Sequence, residues 1–330
     1  MKIVKFFPIF LLLKIISSSP AYAENFNEWL IDFKNRAIQN DISVNTVNDV
    51  MNKAIFLPKV IEYDRYQPEF YEDTSTYISK RVNDKKISVG KKLYIENNGL
   101  IENIEQKFSV EKELLLALMG IETNFGKYLG KMDIVSSLAT LSFDKRRSEF
   151  FSKELLILLK LIDQGIVDHE SLYGSWAGAF GNFQFMPRTI REYAIDYNSN
   201  SIIELKSIED SFASAANYIS KIGWEKNDLC FIKITLENDI PKKYLNTSAK
   251  KIKNKKKISY FSKYIKDDLS INGNIIAGII TPDKDIIPDA ENLVPAYLVF
   301  KNYELILKWN RSLRFALAVC TLKNKFKNAL

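Results

Sequence analysis

The stretch Leu115–Gly126, LLALMGIETNFG, places an acid where the surrounding pattern asks for a hydrophobe. With a helix starting near Val110, Met119, Leu118 and Leu115 stand three, four and seven positions before Glu122, so all four fall on one stripe. A carboxyl group on an apolar helix face must be neutral, paired, or used to move a proton, because an isolated charge there is strongly disfavoured. Gly120 and Gly126 flank the acid and let another backbone or a ligand come close. Taken alone, the stretch is read first as a satisfied structural acid near a helix end, with proton transfer as the alternative.

On either side the pattern is helical. Phe26, Trp29, Leu30, Phe33 and Ala37 recur at helical spacing, as do Leu100, Ile101, Ile104 and Phe108, and Gln67-Pro68-Glu69-Phe70 reads as a turn between them. Ile134–Leu141 reads as a short helix. Ser148–Ile162 is apolar nearly all round and reads as a buried central helix. Ser207 with Asp210 predicts a capped helix start, and Gly223 its stop. Then the texture changes: CFIKITLE, NIIAGIIT and AYLVF, between Leu229 and Phe300, are short β-type runs separated by Pro, Asn, Asp and Lys. Helical spacing returns over Ser312–Phe326. The fold class expected is mainly α (α+β), a helical body with a small attached sheet.

A second informative stretch is Gly174–Thr189, GSWAGAFGNFQFMPRT, where Gly174, Gly178 and Gly181 fall within eight positions. Ser175, Asn182 and Gln184 are the polar groups among them, and Pro187 suits a helix start. This reads as an irregular loop whose backbone approaches something closely. No G-x-x-x-x-G-K-[ST] pattern is present, so phosphate cradling is disfavoured; a tight helix–helix connection remains the bland alternative.

Composition narrows the class. A chain of 330 residues with 46% hydrophobic content can bury a full core. Lys2 and Lys5 precede the apolar run Phe6–Ile16, and small residues end at Ala23, the order of a cleavable export signal. No cysteine follows Ala23, and no other run is long enough to span a membrane, so no stable membrane anchor is expected. The net charge of +7 falls to +4 without Lys2, Lys5 and Lys14, and KKIKNKKK at 250–257 carries six lysines by itself. That run reads as a solvated loop, with attraction to an anionic polymer as the alternative; no aromatics interleave with it, which argues against nucleic acid as a partner. His169 is the single histidine, so multi-histidine metal sites are excluded. Cys230 and Cys320 either pair in an oxidising compartment or stay as buried thiols.

Five pieces together resemble the lytic murein transglycosylase B family: GIETNFG (120–126), LATLSF with the arginine pair after it (138–147), GSWAGAFGNFQFMP (174–187), ANYISKIGW (216–224) and WNRSLRFALAV (309–319). They stand in the family's order and cover nearly all the chain after residue 23. The resemblance implies a lysozyme-like helical domain over 24–228, a smaller β-containing insertion over 229–300, and a C-terminal return over 301–330. It implies a periplasmic enzyme acting on peptidoglycan glycan strands, without a cofactor. Glu122 would be the single catalytic acid and base, cleaving the β-1,4 bond between N-acetylmuramic acid and N-acetylglucosamine and leaving a 1,6-anhydro end; apolar neighbours would favour its neutral form. Ser175 and Gln184 would orient the sugar, Tyr218, Asn310 and Tyr77 would line the cleft, and Arg146 and Arg147 would meet a lactyl or stem-peptide carboxylate. Those arginines are equally read as a solvated pair at a helix start.

Two departures stand out. Trp309 and Phe315 occupy positions where the family has tyrosines, so a hydroxyl near the acid is missing at Phe315. Asp196–Ser201 (DYNSNS) stands where members can carry a calcium loop, but with Ser201 for the glycine and Ser207 for the closing acid, so weak calcium binding or none is expected. The rivals are a hydrolytic muramidase on the same fold and an exported wall-binding protein without turnover.

Overall fold

The computed structural model describes residues 20–66, 71–170, 172–284 and 293–330. Of the export signal expected over residues 1–23, residues 1–19 lie outside the described residues, as does the turn expected at 67–70.

Seven helices open the chain: α1 (Pro20–Gln39), α2 (Val44–Met51), α3 (Pro58–Arg65), α4 (Thr74–Arg81), α5 (Asp84–Glu96), α6 (Asn98–Phe108) and α7 (Lys112–Thr123). Ser43, Asp73 and Asn83 cap α2, α4 and α5, each accepting the backbone N–H three residues on. They satisfy donors that a helix's first turn leaves open. β1 (Met132–Asp133) leads into α8 (Ile134–Phe143) and α9 (Ser148–Asp163); β2 (Tyr173–Gly174) pairs antiparallel with β1, and α10 (Pro187–Tyr193) and α11 (Ile208–Lys221) follow. Ser207 caps α11 through Asp210 N, and Gly223 at φ 98° ends the turn after it.

The next stretch carries β3 (Phe231–Ile234), β4 (Leu245–Asn246), β5 (Lys256–Lys257), the short α12 (Ile258–Phe261), β6 (Ile276–Ile280) and β7 (Ala296–Val299), in the order β3-β7-β6-β4 with β5 paired to β6. The sheet is buried on both faces, and the period of two sorts its side chains. Tyr297, Val299 and Ile280 join the core of the helical body, whereas Ala296, Leu298, Ala277 and Ile279 join a second core with Phe261 and Tyr244. Part of the lysine run is therefore not a free loop. Lys256 and Lys257 form an edge strand on β6, and Ile252 between them and Lys250 is buried. Lysines on an edge oppose pairing with another chain.

The chain returns as α13 (Lys301–Trp309) and α14 (Leu313–Lys327). α14 packs along α7, and α5, α6 and α11 cover the other sides of α7. Leu114 to Gly120 are buried all round, so α7 has no separate apolar stripe. Gly120 is small because Phe125 and Leu322 press on it; a Cβ there would lie 2.8 Å from Phe125 Cζ. Two ties hold sheet and helices together, and a third joins α14 to the start of α7 and the turn after α11. Cys230, before β3, is disulfide-bonded to Cys320 of α14, closing a separation of 90 residues. Buried Arg314 of α14 donates to Asp283 at 2.7 Å, and Thr74 N donates to the same carboxylate at 3.0 Å. Buried Lys323 pairs with Glu111 at 2.8 Å, and Glu111 also accepts Trp224 Nε1 and Asn227 N.

Candidate active site

Glu122 comes to the surface because α7 ends there. Asn124, Phe125 and Gly126 take φ values of 52°, 60° and 79°, a left-handed run that reverses the chain. For Asn and Phe this conformation costs on the order of 1 kcal/mol each. The reversal leaves Glu122 half-buried at the rim, one residue before buried Thr123. The Thr123 hydroxyl donates to Asn182 O at 2.8 Å and accepts Gly126 N at 3.0 Å, which fastens the end of α7 to the glycine-rich loop.

That loop approaches the chain itself. A Cβ on Gly130 (φ 89°) would collide with the Gly174 carbonyl, so the two backbones touch where β1 meets β2. The Ser175 hydroxyl accepts Ala179 N at 3.0 Å, and Gln184 (φ 51°) donates Nε2 to Leu129 O at 3.2 Å and Gly181 O at 3.0 Å. Both predicted polar residues thus hold the loops beside Glu122 in shape.

One direct neighbour of the acid comes from the other end of the chain. Trp309 Nε1 donates to Glu122 Oε1 at 2.9 Å. The indole stacks on Tyr218 with centroids 5.0 Å apart, and Tyr193 stacks on Tyr218 at 4.3 Å. Phe185 and Phe183 meet Trp309 edge-on at 5.4 Å and 6.2 Å. Tyr218 lies between two rings, so it backs Trp309 rather than offering a face of its own. Its hydroxyl donates to Lys308 O at 3.2 Å, and burial, then Tyr193 and Glu192, push its pKa up to about 12. Asn310 follows directly, half-buried, at the cap of α13.

The sequence matches the Transglycosylase SLT domain family over residues 25–324. The chain belongs to this family. It is 35% identical over 153 residues to the membrane-bound lytic murein transglycosylase B of Escherichia coli K12, a match that covers 46% of the chain and 42% of that relative, so under half of the relative's length is spanned. Among solved structures it resembles SltB3 of Pseudomonas aeruginosa in complex with NAG-NAM-pentapeptide, at 28% identity and a TM-score of 0.80, covering 92% of this chain and 79% of that one. It also resembles the Escherichia coli lytic transglycosylase Slt35 in complex with calcium, at 25% identity and a TM-score of 0.74, covering 94% of each chain. These likenesses agree with a lysozyme-like helical fold carrying a small sheet.

Other residues that the family resemblance singled out have contacts of their own. Arg147 pairs with Asp64 Oδ1, and Arg146 meets Asp64 Oδ2 at 3.4 Å and its carbonyl at 3.1 Å. The pair pins α3 to the start of α9, a partner on α3 that local sequence could not reveal. Tyr77 is 2% exposed, with the Arg81 guanidinium 3.5 Å from its ring centre. Phe315 is buried in α14.

What sequence reasoning missed is the role of Trp309, noticed there solely as a departure, and a wall of lysines. Glu122 borders a cavity of about 360 Å³ lined also by Lys80, Asn83, Lys85, Lys86 and Lys127. A larger cavity of about 670 Å³, along α9 and α10, holds none of the expected site residues. In the loop where the resemblance led one to look for calcium, Asp196 accepts Asn200 N at 3.1 Å and Ser201 N at 2.7 Å, with Ser201 at φ 75°. The Ser207 hydroxyl caps α11 where a closing bidentate acid would stand. This donor set does not fit a calcium ion, which needs more carboxylate oxygens.

Proposed function

We propose that the chain is a lytic transglycosylase that cleaves the β-1,4 bond between N-acetylmuramic acid and N-acetylglucosamine in peptidoglycan, with Glu122 as its single acid and base. The observation that carries this reading is that Glu122 is the one carboxylate among the described residues lining its cavity, and that an indole N–H orients it. Two-carboxylate glycosidases need a second acid for water or for a covalent sugar. Here the muramoyl C6 hydroxyl takes that place. Neutral Glu122 gives its proton to the glycosidic oxygen as the C1–O bond breaks. The C6 hydroxyl then attacks C1 and returns its proton to the carboxylate, closing the 1,6-anhydro ring and restoring the acid. An indole only donates, so Oε1 accepts from Trp309 in either protonation state.

In the same reading Gln184, Ser175 and Asn310 shape the cleft floor, and Tyr218 supports Trp309. Residues 24–228 with 301–330 form the catalytic body, 229–300 the insertion, and residues 1–23 export the chain to the periplasm. Among the described residues no helix is long and apolar enough to cross a membrane. Replacing Glu122 with Gln should lower release of anhydro-muropeptides from purified peptidoglycan by about 100-fold or more. Unchanged release removes Glu122 from the chemistry. Products one water heavier identify a hydrolase, and binding without products from the wild type identifies a wall-binding protein.

A further inference from the structure

Two lysines are enough to blunt the β5 edge, but the insertion carries far more charge than that. Residues 242–266 hold ten lysines and no acid, more positive charge than the +7 of the whole chain. Folding gathers part of it on one spot. Lys243 before β4, Lys256 of β5 and Lys263 after α12 are exposed and converge on Tyr244, Tyr260 and Tyr264. The Lys263 ammonium lies 4.8 Å from the Tyr264 ring centre and 5.4 Å from that of Tyr260. Lys256 lies 5.8 Å from Tyr260, and Lys243 lies 5.2 Å from Tyr244. The Tyr244 and Tyr260 hydroxyls meet at 2.7 Å, and Tyr260 is 39% exposed. Elsewhere on the stretch Lys255 pairs with Glu304 at 2.6 Å and Lys266 with Glu237 at 3.8 Å. No carboxylate among the described residues pairs with Lys243, Lys256 or Lys263.

The tyrosines say what kind of anion fits. A nucleic-acid base or a sugar ring stacks on a free aromatic face, and here two ammonium groups already attend the exposed Tyr260 ring. What the face presents is lysines set on amphipathic rings. That combination suits the headgroup level of a bilayer, where ammonium groups meet lipid phosphate and tyrosines lie between water and acyl chains. The local field is positive: the Tyr260 pKa is lowered, first by the Tyr244 hydroxyl and then by the charges of Lys263, Lys243 and Lys256. We infer that this lysine–tyrosine face of the insertion docks reversibly on an anionic phospholipid surface. The inference goes beyond the catalytic reading and does not depend on it. The Cys230–Cys320 disulfide and the Arg314–Asp283 pair fasten the insertion to the helical body, so docking holds the whole chain at the lipid.

The test is sedimentation of the purified, exported chain with vesicles, of phosphatidylcholine alone or with about 30% phosphatidylglycerol, in about 0.1 M NaCl. The wild type should bind the anionic vesicles about tenfold or more tightly than the neutral ones, and about 0.5 M NaCl should release it. K243Q/K256Q/K263Q should weaken that binding about 100-fold, or about fivefold per lysine. K53Q/K59Q/K160Q, an equal charge change on exposed lysines of the helical body, should stay within about threefold of the wild type. Circular dichroism and melting confirm that both variants are folded. Equal binding to the two kinds of vesicle overturns the docking face. An equal loss in both triple variants reduces the effect to net charge and also overturns it. A wild type that ignores anionic vesicles overturns it too, and its retention on immobilised polyphosphate would then reassign the face to a soluble polymer. Binding is read without turnover, so each of these outcomes leaves the catalytic reading where it stood.

Discussion

Glu122 adjoins two unlike walls. On one side Trp309, Tyr218 and Tyr193, from α13, α11 and α10, form a neutral stack with Phe185 against its edge. On the other, lysines from α4, α5 and the loop after α7 line an open cavity. The aromatic wall is built by contact: each ring is fixed by the next, and the elements beneath are locked by buried pairs. The lysine wall is built by charge, on side chains that are mostly exposed. The first wall can therefore hold an acid in one orientation, whereas the second can attract but not position. An active site that moves a proton needs the former, and one that chooses among charged substrates needs the latter.

The largest expected effect breaks the frame under the aromatic wall. Glu111 receives Trp224, Asn227 and Lys323, and so braces the end of α11, the helix that carries Tyr218. Removing one partner from a buried ion pair costs about 3–5 kcal/mol, so Glu111→Ala should lower the urea midpoint by that equivalent. Burial alone would raise the Glu111 pKa, but the Lys323 hydrogen bond and charge outweigh it and hold it below 4.5. Its contribution is therefore complete above pH 4.5 and is lost as pH falls through the folded value. Acid unfolding of the wild type should start in that range, and the variant's stability should vary less there.

Next comes the contact with the acid itself. Trp309→Phe keeps the flat ring and removes the N–H, and should lower kcat about 10- to 100-fold with the stack intact by fluorescence and melting. Equal kcat would show that packing alone holds Glu122.

A smaller effect separates the walls by pH. Lys86, facing Arg81, Lys80, Lys85, Lys127 and Glu122, loses its proton as pH rises through about 8. The aromatic side, with Tyr218 protonated up to about 12, does not change over the same range. Because the unfolded chain still holds that lysine proton up to 10.5, the same rise in pH should slightly raise stability. The smallest effect expected is from calcium: micromolar calcium should leave the melting temperature unchanged, since Ser201 and Ser207 replace the residues that would complete the loop.

The sequence by itself determined the local elements. Helical periodicity, the Ser207 cap and the β-type runs are short-range properties of the chain, and they placed α8, α9, α11, α14 and the strands β3, β6 and β7. It also marked Glu122, because an acid amid Leu115, Leu118 and Met119 is a misfit visible without a fold. What surrounds that acid was settled by tertiary structure alone. Trp309 is 187 positions away, and local spacing carries no information about which distant donor reaches a carboxylate. The same holds for Asp64, which takes the arginines, and for the lysines that three segments of chain bring to one cavity. Side-chain chemistry is written residue by residue, but a hydrogen bond needs about 3 Å between its atoms, and only packing of the whole chain fixes distances on that scale.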